Sequence, residues 1–164
     1  MSNTKYLALI RHAKTNEHHP KGDYYRTLSE TGIIQTHRIA EQLYNFFEVQ
    51  NIDLTSIHVE ASSAVRTFET GITIADSLDV ELVSNDLLYN STSAHILNVA
   101  KNLLQYNQVV LLVAHNPGIS EAASILAERE TALAPSEACI FSLSESNSDE
   151  LGKAKLLNVC KREG

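Results

Sequence analysis

A chain of 164 residues is about one domain's worth, and its 43% hydrophobic content is enough to build a core. The net charge of −7 argues against a general nucleic-acid or membrane-surface binder, which needs a basic face. Two cysteines, Cys139 and Cys160, stand far apart with neither CxxC nor zinc-ligand spacing, and nothing at the start of the chain has the length of a leader or a membrane span. Together with the suitability of free thiols for a reducing compartment, this predicts a soluble cytoplasmic protein.

Residues 6–10, Tyr-Leu-Ala-Leu-Ile, form an uncharged apolar run too short for a globular helix, and read as a buried strand. The run stops at Arg11-His12, where an α/β protein collects its chemistry, just past the carboxyl end of a strand. A polar loop follows through Arg26, holding Thr15, Asn16, His18, His19, Gly22 and Asp23. Ser29 is a plausible N-cap for a helix over residues 30–48, where Thr36, Ile39, Ala40, Leu43, Phe46 and Phe47 recur at helical spacing. Residues 57–59 are a second strand. Either Ser62 or Ser63 can cap the next helix, which runs to residue 78. Arg66 falls in its first turn, and helix side chains lean toward the N-terminus, so Arg66 reaches back over the end of the second strand.

Residues 80–83 are a third short strand, 86–89 a turn-like stretch, and 93–104 a third helix. Residues 109–114, Val-Val-Leu-Leu-Val-Ala, are the strongest strand, a continuous apolar run suited to burial on both faces. It too ends in histidine, His115. Asn116 as N-cap and Pro117 at the first helical position start a helix to residue 126. Residues 138–143 and 155–160 are two last strands, and the polar segment 144–152 between them is a hairpin or a loosely paired edge. The alternation predicts one domain over residues 1–164, an α/β three-layer sandwich with helices on both faces of a mostly parallel sheet. Neither GxGxxG nor GxxxxGK[ST] is present.

In a parallel sheet, the ends of three strands would bring Arg11, His12, Arg66 and His115 to one edge. Two guanidiniums and two imidazoles suit a phosphoryl group. Arginine binds phosphate oxygens bidentately and keeps its charge. Helix N-termini add N–H donors. A histidine largely neutral at pH 7 can attack phosphorus.

These residues carry a family resemblance. Residues 9–15, Leu-Ile-Arg-His-Ala-Lys-Thr, resemble the RHG signature of the histidine phosphatase superfamily, also called phosphoglycerate mutase-like. Residues 26–32, 62–70 and 113–118 are similar to that family's R-x-L-[ST]-x-x-G, S-x-x-x-R-x-x-x-T and second-histidine segments, in the same order. The branch that the chain most resembles is the SixA-type phosphohistidine phosphatases. The resemblance implies that His12 is the nucleophile and forms a phosphohistidine, that Arg11, Arg66 and His115 bind the phosphoryl oxygens, and that water then releases phosphate without a metal or organic cofactor. Two departures matter. Alanine replaces the signature glycine after His12, which requires a backbone conformation open to a residue with a Cβ. The acid that protonates the leaving group in mutase-like relatives has only Asp86 at about its position, although a phosphohistidine leaving group, a nitrogen base, needs less help.

The simpler readings assign no chemistry to the other histidines. His18 and His19 are adjacent loop residues, His37 and His95 lie on helix surfaces, and His58 faces a helix. Arg26 either salt-bridges near the start of the first helix or contacts substrate; Thr15 and Asn16 are weaker candidates for phosphate contact. Only 48 residues separate Arg66 from His115, where larger relatives carry a substrate-covering insert, so an open site is expected. The first functional reading is a phosphatase acting on phosphohistidine in a partner protein. The alternatives are a small-molecule phosphomonoesterase or mutase, and a non-catalytic phospho-binding module, against which the intact His12 counts.

Overall fold

The apolar run at the start of the chain forms β1, Thr4–Arg11, in the computed structural model, which describes residues 4–144 and 151–163. Its side chains alternate between two cores, as a strand's period of two demands. Tyr6, Ala8 and Ile10 enter one core and Leu7 and Leu9 the other. From β1 the chain passes through α1 (Glu30–Val49) to β2 (Ile57–Ser62), through α2 (Val65–Leu78) to β3 (Leu82–Asn85), and through α3 (Ser93–Leu104) to β4 (Val109–Ala114). It then passes through α4 (Gly118–Ala127) to β5 (Ala138–Ser144) and β6 (Lys155–Cys160).

The strands form one six-stranded sheet in the order β3-β2-β4-β1-β5-β6. The first four strands are parallel to one another; β5 runs antiparallel to β1, and β6 antiparallel to β5. Helices α1 and α2 cover the face that holds Ile39, Leu43, Phe47 and Ile74; α3 and α4 cover the face that holds Ile96, Leu104, Ile119 and Leu126. The three-layer α/β sandwich expected from the alternation is therefore present.

The topology creates a crevice at one place. After β1 the chain moves toward β2 and β3, and after β4 it moves the other way, toward β5. Because β1 and β4 are neighbours, the segments leaving their carboxyl ends depart to opposite faces of the sheet. His12 and His115 are the residues that follow those two strands.

Several boundaries differ from the sequence expectation. β2 continues past Val59 to Ser62, because its polar residues Glu60 and Ser62 find partners on the α3 side of the sheet. β3 begins two residues late. Val80 closes the end of α2 with a bond from its N–H to the Ala75 carbonyl, so pairing with β2 starts at Leu82. Neither Ser62 nor Ser63 caps α2; its N-cap is Ala64, which gives no side-chain bond. Ser29 does cap α1, accepting from the Gly32 N–H at 3.0 Å. Pro117, not Asn116, is the N-cap of α4. Of the polar segment before β6, residues 145–150 lie outside the described residues, and Leu151–Lys153 is a 3-10 turn. Among the described residues no helix is long and apolar enough to cross a membrane.

Candidate active site

His12 is held from both sides. Its N–H donates to the Ala114 carbonyl at 3.1 Å, tying it to β4. Its Nδ1 lies 2.8 Å from the Ala13 carbonyl oxygen. A carbonyl only accepts, so Nδ1 carries the proton and Nε2 is left with its lone pair. The next residue is anchored to α2: Ala13 N–H donates to Thr70 Oγ1 at 3.0 Å, and that hydroxyl donates to the Arg66 carbonyl at 2.8 Å. The turn bearing the imidazole is thereby fixed to the helix bearing Arg66. Ala13 is fully buried and is not among the described residues of positive φ, so the turn after His12 accepts a Cβ without backbone strain.

His115 faces His12 with ring centroids 5.4 Å apart. Its Nε2 sits 2.8 Å from Ser62 Oγ at the end of β2, and Tyr89 packs edge-on against its ring at 5.4 Å. This leaves His115 Nδ1 buried with no hydrogen-bond partner.

Three arginines surround the pair. Arg66, 5% exposed, donates from Nη1 to the Asp23 carbonyl at 2.8 Å and from Nη2 to Asp23 Oδ2 at 2.9 Å. Tyr89 O–H donates to the same Oδ2 at 3.0 Å. Arg26 pairs with Asp23 Oδ1 at 3.4 Å and donates from Nη2 to Thr15 Oγ1. Arg11 donates from Nη1 to the Leu133 carbonyl at 3.1 Å, which also takes the Asn116 Nδ2 donor. Arg11 Nε, Arg26 Nε and His115 Nδ1 make up half of the six buried side-chain nitrogens and oxygens that lack a partner among the described residues. Buried polar atoms in folded proteins are normally bonded. Two unbonded guanidinium N–H donors, and an imidazole Nδ1 that donates when Nε2 accepts from the Ser62 hydroxyl, are what an oxyanion would satisfy. The helices α2 and α4 both start without a side-chain cap, leaving N–H donors at the ends of β2 and β4.

Burial and this cationic field keep both imidazoles neutral. Loss of solvent, with the fields of Arg66, Arg11 and Arg26 adding to it against the Ala13 bond, lowers His12 to about 4. Loss of solvent and the Arg66 charge lower His115 to about 3. At neutral pH His12 presents an unprotonated Nε2 beside permanent positive charge. That is the arrangement a nucleophile needs to attack a phosphoryl group whose charge the arginines offset.

Arg11, His12, Arg66 and His115 thus come together from the ends of three strands, as the sequence predicts. Arg26 joins them, bridging Asp23 and Thr15. Asn16 does not; its Nδ2 binds Thr27 Oγ1 and the Leu28 carbonyl. Asp86 is exposed at the start of the 3-10 turn Asp86–Leu88, and the carboxylate that sits among the cations belongs to Asp23. His18 and His37 are exposed, whereas His19 accepts from the Lys21 N–H and His95 is partly covered. His58 pairs with Glu60 at 2.9 Å. Asp23, Tyr89, Ser62 and Thr70 are site residues that sequence reasoning did not assign. Asp23 had one visible signal, its place three residues before Arg26 in a loop that had to pass the strand ends. Among the described residues no cluster of His, Cys, Asp or Glu is arranged to hold a metal ion.

No protein-family model matches the chain, and no curated protein does. Solved structures do. The protein histidine phosphatase SixA complexed with tungstate aligns at TM-score 0.77 and 18% identity, over 96% of this chain and 97% of its own. A provisionally assigned phosphohistidine phosphatase SixA from Agrobacterium tumefaciens aligns at TM-score 0.77 and 20% identity, over 96% and 98%. A phosphoglycerate mutase from Plasmodium falciparum aligns at TM-score 0.64 and 16% identity, over 96% and 91%. At these identities the likeness is one of fold: the chain has the phosphoglycerate mutase-like architecture over nearly its whole length.

Proposed function

We propose that this chain is a single histidine phosphatase domain, residues 1–164, that hydrolyses phosphohistidine on a partner protein through a phosphohistidine intermediate at His12. The observation that carries the reading is the geometry of His12: its Nδ1 is held by the Ala13 carbonyl, its ring is buried against His115 beside Arg11 and Arg66, and three of the surrounding nitrogens lack partners among the described residues. In the first step Nε2 attacks phosphorus, the bond from phosphorus to the substrate imidazole breaks, and the departing nitrogen takes a proton from water. In the second, water attacks the phospho-His12 and inorganic phosphate leaves. Arg11, Arg66 and His115 hold the transferring oxygens, and Arg26 borders them.

The substrate class rests on two supports. The SixA structures share the fold, and one of them binds tungstate, a phosphate-like oxyanion. Between Arg66 and His115 the chain holds the rest of α2, β3, a short turn, α3 and β4, with no further element in that described span to cover the strand ends, which favours a protein surface as substrate. A leaving imidazole needs little acid catalysis, which fits a site whose carboxylate, Asp23, is held ionised by Tyr89 and Arg66. The free, buried thiols of Cys139 and Cys160 suit the cytoplasm.

The test compares wild type with His12→Ala on a protein phosphorylated on histidine, an aryl phosphate and a panel of sugar phosphates. Fast turnover of the phosphohistidine protein and its loss in the variant is the expected result. Equal turnover by His12→Ala would overturn the mechanism, and activity confined to the small esters would overturn the substrate.

A further inference from the structure

The pocket contains one carboxylate that the phosphoryl chemistry does not call for. Asp23 lies on the loop between β1 and α1, in the 3-10 turn Asp23–Tyr25, and its side chain is 52% exposed. Yet its acceptors are taken by the site. Oδ2 receives Arg66 Nη2 at 2.9 Å and the Tyr89 hydroxyl at 3.0 Å, Oδ1 lies 3.4 Å from Arg26 Nη1, and its backbone carbonyl receives Arg66 Nη1 at 2.8 Å. The loop therefore meets α2 and the start of the β3–α3 connection through one aspartate.

Arg66 is not consumed by this arrangement. A guanidinium has five N–H donors, and Asp23 takes two of them. The others remain for a ligand. What Asp23 changes is aim and charge. It fixes the plane of the Arg66 fork, and it sets Tyr89, which packs under the Arg66 guanidinium at 5.9 Å and against His115 at 5.4 Å. It also sets one negative charge against three arginines, leaving Arg11, Arg26, Arg66 and Asp23 with a sum of two positive charges. That sum matches a phosphoryl dianion. Without Asp23, three arginines would face the dianion product, and an oxyanion over-matched by fixed cations leaves slowly.

Resting on the phosphoryl pocket proposed above, we propose that Asp23 is the built-in counter-anion of that pocket: it aims Arg66 and Tyr89, and it limits the hold of the arginines on phosphate so that product is released. It is a positioning and charge-setting residue, since it touches the arginine rather than the reacting atoms.

The test uses the whole chain and two variants, with inorganic phosphate and tungstate as probes. Asp23→Asn keeps an acceptor for Arg66 and Tyr89 but removes the charge; Asp23→Ala removes both. Binding of each oxyanion is followed by calorimetry, and thermal melts confirm that each variant is folded. Asp23→Asn is expected to bind phosphate about tenfold more tightly than wild type and to show a lower kcat with a KM that is unchanged or lower. Asp23→Ala is expected to lose kcat/KM, with Asp23→Asn restoring most of it. Phosphate affinity in Asp23→Asn equal to or weaker than wild type overturns the charge role. Equal kcat/KM in the two variants overturns the aiming role. If wild type itself binds neither oxyanion, the phosphoryl pocket fails and this inference falls with it. Wild-type binding with no change in the variants removes this inference alone.

Discussion

Acidity acts on this site through His12. A solvent-exposed imidazole would be half protonated near pH 6.5, whereas His12 is lowered to about 4 by burial and by the arginines around it. An NMR titration of the ring resonances should place the His12 midpoint near pH 4, and a midpoint at the ordinary value would mean that the nucleophile is not held neutral by this pocket. Ser62 has a narrower role. It is the only hydrogen-bonding partner of the His115 ring among the described contacts, at 2.8 Å, and it is fully buried. Ser62→Ala leaves the sheet intact but frees His115 to rotate and orphans its Nε2. We expect kcat/KM to fall about tenfold or more, in line with the cost of stranding one buried polar atom. An unchanged kcat/KM in a folded Ser62→Ala variant would show that His115 needs no anchor.

The elements meet at the strand ends by close backbone approach, and two glycines permit it. A Cβ on Gly32 would collide with the Lys14 carbonyl oxygen, and one on Gly118 with the Ser91 carbonyl oxygen. The first contact seats the start of α1 on the turn after His12, where Ser29 N–H also bonds the Lys14 carbonyl at 2.9 Å. Gly32→Ala should therefore destabilise the fold by roughly 1–3 kcal/mol, the usual cost of overpacking against rigid backbone, and should lower activity by shifting the turn that carries His12. Urea unfolding and kinetics on the same preparation would check both, and a neutral effect would mean that α1 can slide. These contacts also show which parts of the site the sequence made legible. Arg11, His12 and His115 were readable because each ends a strand that announces itself by an apolar run. Arg66 was readable from its place in a helix's first turn. Asp23 and Tyr89 were not, because both lie in irregular connections, 43 residues before and 23 residues after Arg66, and only the finished fold brings them together. Ser62 was misread as a helix cap because a serine near the end of a strand and the start of a helix suits either role. Its partner, His115, stands 53 positions away.

Taken as a whole, the molecule buries two neutral histidines at the carboxyl ends of its two central parallel strands, β1 and β4, and that couples its stability to pH. Both imidazoles titrate near their ordinary value when the chain is unfolded, but at about 4 and about 3 when it is folded. Between those limits the unfolded chain binds more protons than the folded one, so stability rises with pH. Lowering the pH from 6.5 toward 4 should therefore cost stability through each histidine, at a slope below the ~1.4 kcal/mol per pH unit of one full proton. A carboxylate such as Asp23, which is lowered in the folded state, adds to the loss only below the range where unfolded carboxyls begin to protonate. Bound phosphate should reverse part of this. It stabilises the folded state by mass action, about 2.7 kcal/mol at a hundred times its Kd. It also brings negative charge beside His12 and His115, which favours their protonated forms and narrows the gap to the unfolded values. Urea unfolding from pH 7 to pH 4.5, with and without saturating phosphate, should give a steep pH slope for the free chain and a shallower one for the complex. A His12→Asn variant should lie between the two. Identical slopes with and without phosphate would mean that the anion binds away from the histidines, and the site drawn at the ends of β1 and β4 would have to be abandoned.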